Sequence, residues 1–333
     1  MPTAPTRPPE RGTIWLGLLV LYVVWGSTYL GIAIAVETIP PFLMAAIRFG
    51  IAGSVLLGWS LLRTRGSLVA LTRREWRDTI IVGTLLLGGG MGMVAFGEQT
   101  IPSGIAALLI AMMPVWVAIF GRVFLGERLP RIAAVGIVVG FVGVAILVGP
   151  TILGQAGSLD PLGLAAIIVS PIAWSLGSLY ASHRATLPRL PLVATGTQML
   201  AGGAVLAVMA GVTGEFGRFD AAAVSGDSVA ALAYLTIIGS LLAFTAYGWL
   251  LRVAPLPLIA TYAYVNPVVA VILGAVVRNE PIDARTLVAG AVIIGAVALI
   301  VTARGRMQAP RPRVQARTPA SPQPGSTTAQ DLA

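Results

Sequence analysis

The sequence contains no cysteine, which excludes disulfides, thiol catalysis and thiolate metal sites. It contains no lysine either, so all 22 basic residues are arginine, and its single histidine is His183. Charge of either sign is scarce. Only 11% of the 333 residues are charged, whereas soluble domains carry about 25%. With 56% hydrophobic residues and a mean hydropathy of +0.88 the chain is too apolar for a water-soluble globule. The pI near 10.9 would suggest nucleic acid in a soluble protein, but here the arginines cluster in short loops between apolar runs. That pattern marks membrane topology, and no nucleic-acid partner is expected.

What is present is a regular series of apolar stretches, each near the roughly 20 residues that cross a bilayer as a helix. Ten are predicted, approximately Thr13 to Val36, Pro41 to Leu62, Asp78 to Phe96, Ser103 to Phe124, Ile132 to Val148, Leu162 to Ala181, Pro191 to Val212, Ser228 to Leu251, Pro257 to Val277 and Arg285 to Ala303. Alternating patterning is absent, which argues against a membrane β-barrel. With the N-terminus inside, 18 arginines face the cytoplasm, Arg218, Arg278 and Arg285 face outward, and Arg48 lies within a span. The positive-inside rule therefore puts both termini in the cytoplasm of a multi-pass protein of the cytoplasmic membrane. The organisation expected is a cytoplasmic segment over 1–12, five-helix units over 13–150 and 160–304, and a disordered cytoplasmic tail over 305–333, rich in Pro, Ser, Thr, Gln and Arg.

The two units look duplicated. Pro102, Ala107, Pro114, Val115, Gly121 and Glu127 recur 153 positions later as Pro255, Ala260, Pro267, Val268, Gly274 and Glu280. The two prolines and the glutamate carry the case, because Gly and Ala are common everywhere in this chain. An odd number of helices per unit turns the copies into opposite orientations, so the fold class expected is an all-α membrane protein of two inverted five-helix repeats. Inverted repeats place a solute site near the bilayer midplane, where one bundle rocks against the other.

These residues resemble the EamA family of the drug/metabolite transporter superfamily. The likeness runs through "LYVVWGSTYLGIAIAVETIPPFLMAAIRF" (21–49), "PSGIAALL" (102–109), "GERL" (126–129) and "TYAYVNPVVAVILG" (261–274). It covers roughly Trp15 to Val301 and is specific to the family, not to a substrate. The resemblance implies ten helices with cytoplasmic ends, inverted repeats, and export of small metabolites or drugs, with amino acids and their derivatives among the family's solutes.

Arg48 is the sharpest single feature. It follows Pro41 by seven residues, which puts it ~10 Å into the membrane from the outer end of the second helix. A charge there costs at least about 2.5 kcal/mol on insertion scales, so a cavity or a partner is expected beside it. It either anchors an anionic end of the substrate through paired guanidinium bonds or serves structure by reaching helix-end carbonyls and the interface. Trp25, Thr28 and Tyr29 share a face of the first helix, with Ser27 beside them, and Gly26 allows close approach or local unwinding. Tyr262 and Asn266 repeat the theme in the ninth helix, and Pro267 there, like Pro114 in the fourth, interrupts the backbone ladder. Paired broken helices point to a transporter site; packing and a simple kink are the bland reading. Trp174, Ser175, Ser178 and Tyr180, with Thr197 and Gln198, supply further neutral groups for substrate or for packing. The glycines from Gly83 to Gly92 permit close packing or bending. Glu98 is the better of two candidate coupling carboxylates, the other being Glu37; a solvated acid at the outer helix end is the simpler reading of it. With no acid at mid-membrane, a facilitator driven by the solute gradient stays open.

Together these features predict a secondary transporter working by alternating access on a small molecule, not an enzyme, and requiring no metal or other cofactor. His183 sits among Arg184 and Arg189 at a helix end, away from any intramembrane serine, and no GxxxxGK loop is present. A channel or lipid scramblase is the main alternative, and an intramembrane enzyme a weaker one. Substrate, coupling ion and oligomeric state are not encoded in any motif.

Overall fold

The computed structural model describes residues 11–63, 70–154, 159–254, 256–259 and 261–308. The expected segment before Arg11, the tail beyond Gln308, and the repeat positions Pro255 and Ala260 fall outside them.

Each apolar stretch forms a helix, since in hydrocarbon the backbone must satisfy its own hydrogen bonds. In chain order these are α1 (Arg11–Ala35), α2 (Pro41–Arg63), α3 (Arg73–Gly97), α4 (Ser103–Leu125), α5 (Arg131–Ile152), α6 (Pro161–His183), α7 (Pro191–Val212), α8 (226–253), α9 (Tyr262–Arg278, preceded by the turn Leu256–Ile259) and α10 (Ala284–Gln308). No strand occurs among the described residues. Among the described residues nine of these helices are long and apolar enough to span; α9 is shorter, since its continuous helix begins only at Tyr262. At the other end α10 continues past Ala303 to Gln308, so 305–308 is helix where a disordered tail was expected.

The duplication is visible in where helices start and stop. Arg73, Ser103 and Arg131 begin helical segments, and Gly226, Leu256 and Ala284 do so 153 positions later. Thr72 and Ser225, the same distance apart, are both N-caps whose side chains accept from the backbone N–H three residues on. Gly126 and Asn279 both end their helices in the left-handed conformation, φ 67° and 52°, and the next N–H, of Glu127 and of Glu280, donates to Gly121 and Gly274 at 3.1 and 3.2 Å. Both α3 and α8 widen into π-helix, over Thr84–Gly92 and Leu235–Leu242.

Packing obeys the same exchange. The helix α2 lies along its mate α7, and α5 along α10, while α1 touches α9 and α8 as α6 touches α4 and α3. Close approach needs small residues because lipid supplies no hydrophobic drive between helices. On α2 a methyl at Gly53 would come 2.8 Å from the Gly196 carbonyl of α7. The exposed Leu16, Val138, Val276 and Leu287 form part of the apolar surface presented to lipid.

Candidate functional site

The centre is built where α1 crosses the two interrupted helices. The chain of α4 leaves helical geometry at Ala111–Met112 and resumes at Met113, with Pro114 in the first turn of the second half. Pro114 has no N–H, so the Ile110 carbonyl loses its ladder partner; Pro267 does the same to Ala263. Both freed carbonyls belong to residues lining one cavity, together with Tyr29 of α1 and Tyr262 and Asn266 of α9. The Asn266 Oδ1 atom is buried there with no hydrogen-bond partner in the protein. The cavity measures about 30 Å³, room for water but not for a metabolite. A solute must therefore part these helices to enter.

Two of the expected breaks are corrected. Pro267 lies inside the continuous helix Tyr262–Arg278, and the interruption of α9 precedes Tyr262 instead; losing one hydrogen bond leaves the remaining ladder intact on both sides. Gly26 likewise sits in unbroken helix. Its role is contact: a Cβ there would stand 2.6 Å from that of Val269 and 3.1 Å from the Asn266 carbonyl oxygen. Overpacking of this kind costs about 1–3 kcal/mol, so Gly26→Ala is expected to lower the melting temperature of the purified protein; an unchanged melting curve would refute this account of the α1–α9 seam.

Arg48 is 3% exposed and donates from Nε to Ser240 Oγ at 3.0 Å, with its guanidinium 4.9 Å from the Phe49 ring centre. Ser240 belongs to the π-segment of α8. Neighbouring Gly239 lets the arginine lie flat, since a Cβ there would meet Arg48 Nη2 at 3.4 Å and Thr28 Cγ2 at 3.2 Å. Among the described residues no carboxylate lies within ion-pair distance of Arg48. Glu98 is the acid whose field reaches it. That glutamate is 5% exposed and both its carboxylate oxygens are buried without a hydrogen-bond partner, so the solvated interfacial reading is overturned. Its turn is held under α6, where a Cβ on Gly97 would be 2.5 Å from Ile167 Cγ1. Tyr29 joins the two parts, lining the cavity while lying within electrostatic reach of Glu98.

The remaining expected residues divide between this centre and its frame. Trp25 packs against Tyr262 with ring centres 5.0 Å apart, and against Phe244 and Tyr247. Ser27 bonds the Tyr234 hydroxyl at 2.5 Å, and Thr28 returns its hydroxyl to the Trp25 carbonyl. Ser175 donates to the Pro171 carbonyl at 2.6 Å and approaches that of Met113 at 3.2 Å, so it braces the break in α4. Trp174 lies on Gly90 of the α3 π-segment, Tyr180 donates to Asp78, and Thr197 returns its hydroxyl to its own helix. Trp116 turns away from the cavity onto Phe120 and Phe141.

Sequence reasoning missed three carboxylates that tie the halves together. Glu280 accepts from the N–H and hydroxyl of Ser103 at 2.9 and 2.8 Å and from the N–H of Gly104 at 3.1 Å, capping α4. Glu215, 2% exposed, caps α2 through Phe42 and Leu43. Asp78 accepts from Tyr180 and from the N–H of Thr186 at 2.8 and 2.7 Å. An ion pair between Glu37 and Arg278 joins α1 to α9. The one trace of them in the sequence is the recurrence of Glu127 as Glu280. Among the described residues no cluster of side chains is suited to a metal ion.

A many-helix membrane bundle with a buried, polar centre between duplicated halves is the architecture of a membrane transporter. The family model described as the EamA-like transporter family matches this chain twice, over residues 12–149 and 161–302, and the chain belongs to that family. It is 39% identical over 286 residues to the inner membrane transporter YedA of Escherichia coli K12, covering 85% of this chain and 89% of that one. It is 23% identical over 295 residues to the transporter YvbV of Bacillus subtilis, covering 89% and 93%. A crystal structure with 22% identity superposes with a TM-score of 0.60 over 90% of this chain and all of the other, a likeness of fold. The chain is thus a multi-pass transporter of the plasma membrane.

Proposed function

We propose that the protein exports small metabolites or drugs, amino-acid-like compounds among them, by alternating access around the cavity between α1, α4 and α9. The observation that carries this reading is the cavity lined by the two freed carbonyls and the unpartnered Asn266 amide oxygen, together with a buried arginine on α2 that has no carboxylate within ion-pair distance among the described residues. Arg48 orients the polar or anionic end of the solute, and Trp25, Tyr262, Asn266 and the hydroxyls of Ser27 and Thr28 enclose the rest, with Trp174 and Ser175 behind. The repeats are oppositely oriented and both termini, with the segments 1–12 and 305–333, lie in the cytoplasm, as the arginine distribution favours.

In that orientation the outer end is the closed one. Every residue of Ser103–Ile110, the outer half of α4, is buried, whereas the inner half has exposed positions from Arg122 to Phe124. The bonds of Glu280 and Glu215 and the Glu37–Arg278 pair all gather at this end. A permanently open channel has no use for such a seal, which favours a carrier.

The test compares extracellular metabolites of host cells carrying the wild type or an empty vector. One solute class accumulating outside only with the wild type supports export and identifies the class. Flux that never saturates and shows no competition between solutes supports the channel instead, and lipid flux the scramblase.

A further inference from the structure

We propose that Glu98 is a proton-binding site whose occupancy controls the outer closure, so that the carrier exchanges protons for solute. This rests on the transporter reading above and adds the coupling ion to it. Glu98 occupies the turn after α3, 95% withdrawn from solvent, with neither carboxylate oxygen accepting a hydrogen bond. A carboxylate stripped of both water and donors holds a proton in preference to a charge. Other buried acids of the chain are treated differently: Glu215 receives two backbone N–H groups and Asp78 receives Tyr180, Thr186 and Arg77. Glu98 alone among these three is left without any such support.

The groups around it give the proton a consequence. Glu98 stands five residues before Ser103 in the connection from α3 to α4, a turn closed by the Ile101 N–H on the Gly97 carbonyl at 2.9 Å, and that connection ends at the helix start Glu280 caps. Arg48 of α2, Tyr29 of α1 and Glu280 are the groups electrostatically coupled to it. Asp160, ahead of α6, is already bound to Thr100 and the Gly163 N–H. Glu280 is the residue that fastens Ser103 and Gly104 and so closes the outer half of α4. A protonated, neutral Glu98 leaves Glu280 undisturbed. When the proton leaves, a second negative charge is added to the connection that Glu280 fastens; Glu98 has no bond of its own to give up, so the cap on α4 is what is released. The protonated carrier is therefore outwardly closed, as in this structure, and the deprotonated carrier opens outward. A proton taken from outside resets the closure and is given up on the cytoplasmic side before the next solute is carried out.

Two measurements test this without any solute, so their failure is separable from failure of the transporter reading. The first is an infrared pH titration of the purified protein in lipid, in wild type and Glu98→Gln. The wild type is expected to show a carboxylic-acid carbonyl band at neutral pH that shifts in deuterated water, is lost reversibly on alkalinisation, and is missing from Glu98→Gln. A spectrum without the band, a band that survives in Glu98→Gln, or one insensitive to both pH and deuterium overturns the proposal. The second uses the absence of native cysteine. Ala107→Cys places a reporter on the buried cavity wall, and its labelling by an impermeant maleimide from outside is measured against pH. Labelling should rise several-fold more steeply with pH in the Glu98 protein than with Glu98→Gln added, which corrects for the thiol's own ionisation. Parallel pH profiles overturn the link between proton and closure. Glu98→Asp, which keeps the acid, should restore the steep profile if Glu98→Gln has merely misfolded.

Discussion

Arg48→Ala, at matched membrane abundance, is expected to reduce export by one to two orders of magnitude, to near the level of the empty vector. A charge-assisted hydrogen bond contributes about 1.5–3 kcal/mol, and a guanidinium that grips an anion makes two of them in fixed geometry. Arg48→Lys keeps the charge but loses the fork, and Ser240→Ala keeps the fork but removes the hydroxyl that receives Nε at 3.0 Å. Both should fall between wild type and alanine, chiefly through weaker apparent solute affinity. Folding is a weak objection to this test. Removing one member of a buried ion pair is costly because it strands the other, and here no carboxylate lies within pairing distance among the described residues. The alanine variant loses packing on Phe49 and strands the Ser240 hydroxyl, so it should melt below wild type but still fold, and its export at matched abundance should fail. Export at the wild-type rate would make Arg48 a structural brace of α2 on α8.

The spans were legible because hydrophobic length is a local property, and an apolar run of about 20 residues has one solution in lipid. The repeat was legible through Pro114, Pro267 and the two glutamates, and the aligned helix starts extend it to positions such as Thr72 and Ser225 with no shared identity. What escaped was everything set by distance in the fold. Glu280 and Ser103 are 177 positions apart, and no pattern in either loop predicts their meeting. Glu98 looked like one more acid at a helix end because its burial comes from α6 closing over Gly97. Pro267 marks a lost hydrogen bond, yet one lost bond does not open a helix whose flanking turns remain bonded. The π-segments had only the glycines of α3 as a trace, and the equivalent stretch of α8 has a single glycine, Gly239. That stretch supplies Ser240, the partner that fixes Arg48, so the residue easiest to find in the sequence is positioned by one that could not be found.

Glu280→Ala is expected to unlock the outer end. The carboxylate holds the Ser103 and Gly104 N–H groups and the Ser103 hydroxyl, unpaired donors at the start of α4 that also present its positive end. Removing it costs the closed state at least one charge-assisted bond, and 1.4 kcal/mol is about tenfold in population. External labelling of an Ala107→Cys reporter should therefore rise about tenfold or more, with Glu280→Gln, which keeps one acceptor oxygen, in between. The proposed inversion of the repeats adds a sign that a general loosening of the protein would not have. Glu127 leaves its helix through the same left-handed turn as Glu280, after Gly126 where Glu280 follows Asn279. On the proposed orientation it belongs to the cytoplasmic end. Glu127→Ala should favour inward opening and so slow labelling from outside, whereas a rise like that of Glu280→Ala would mean that both acids only stabilise the fold.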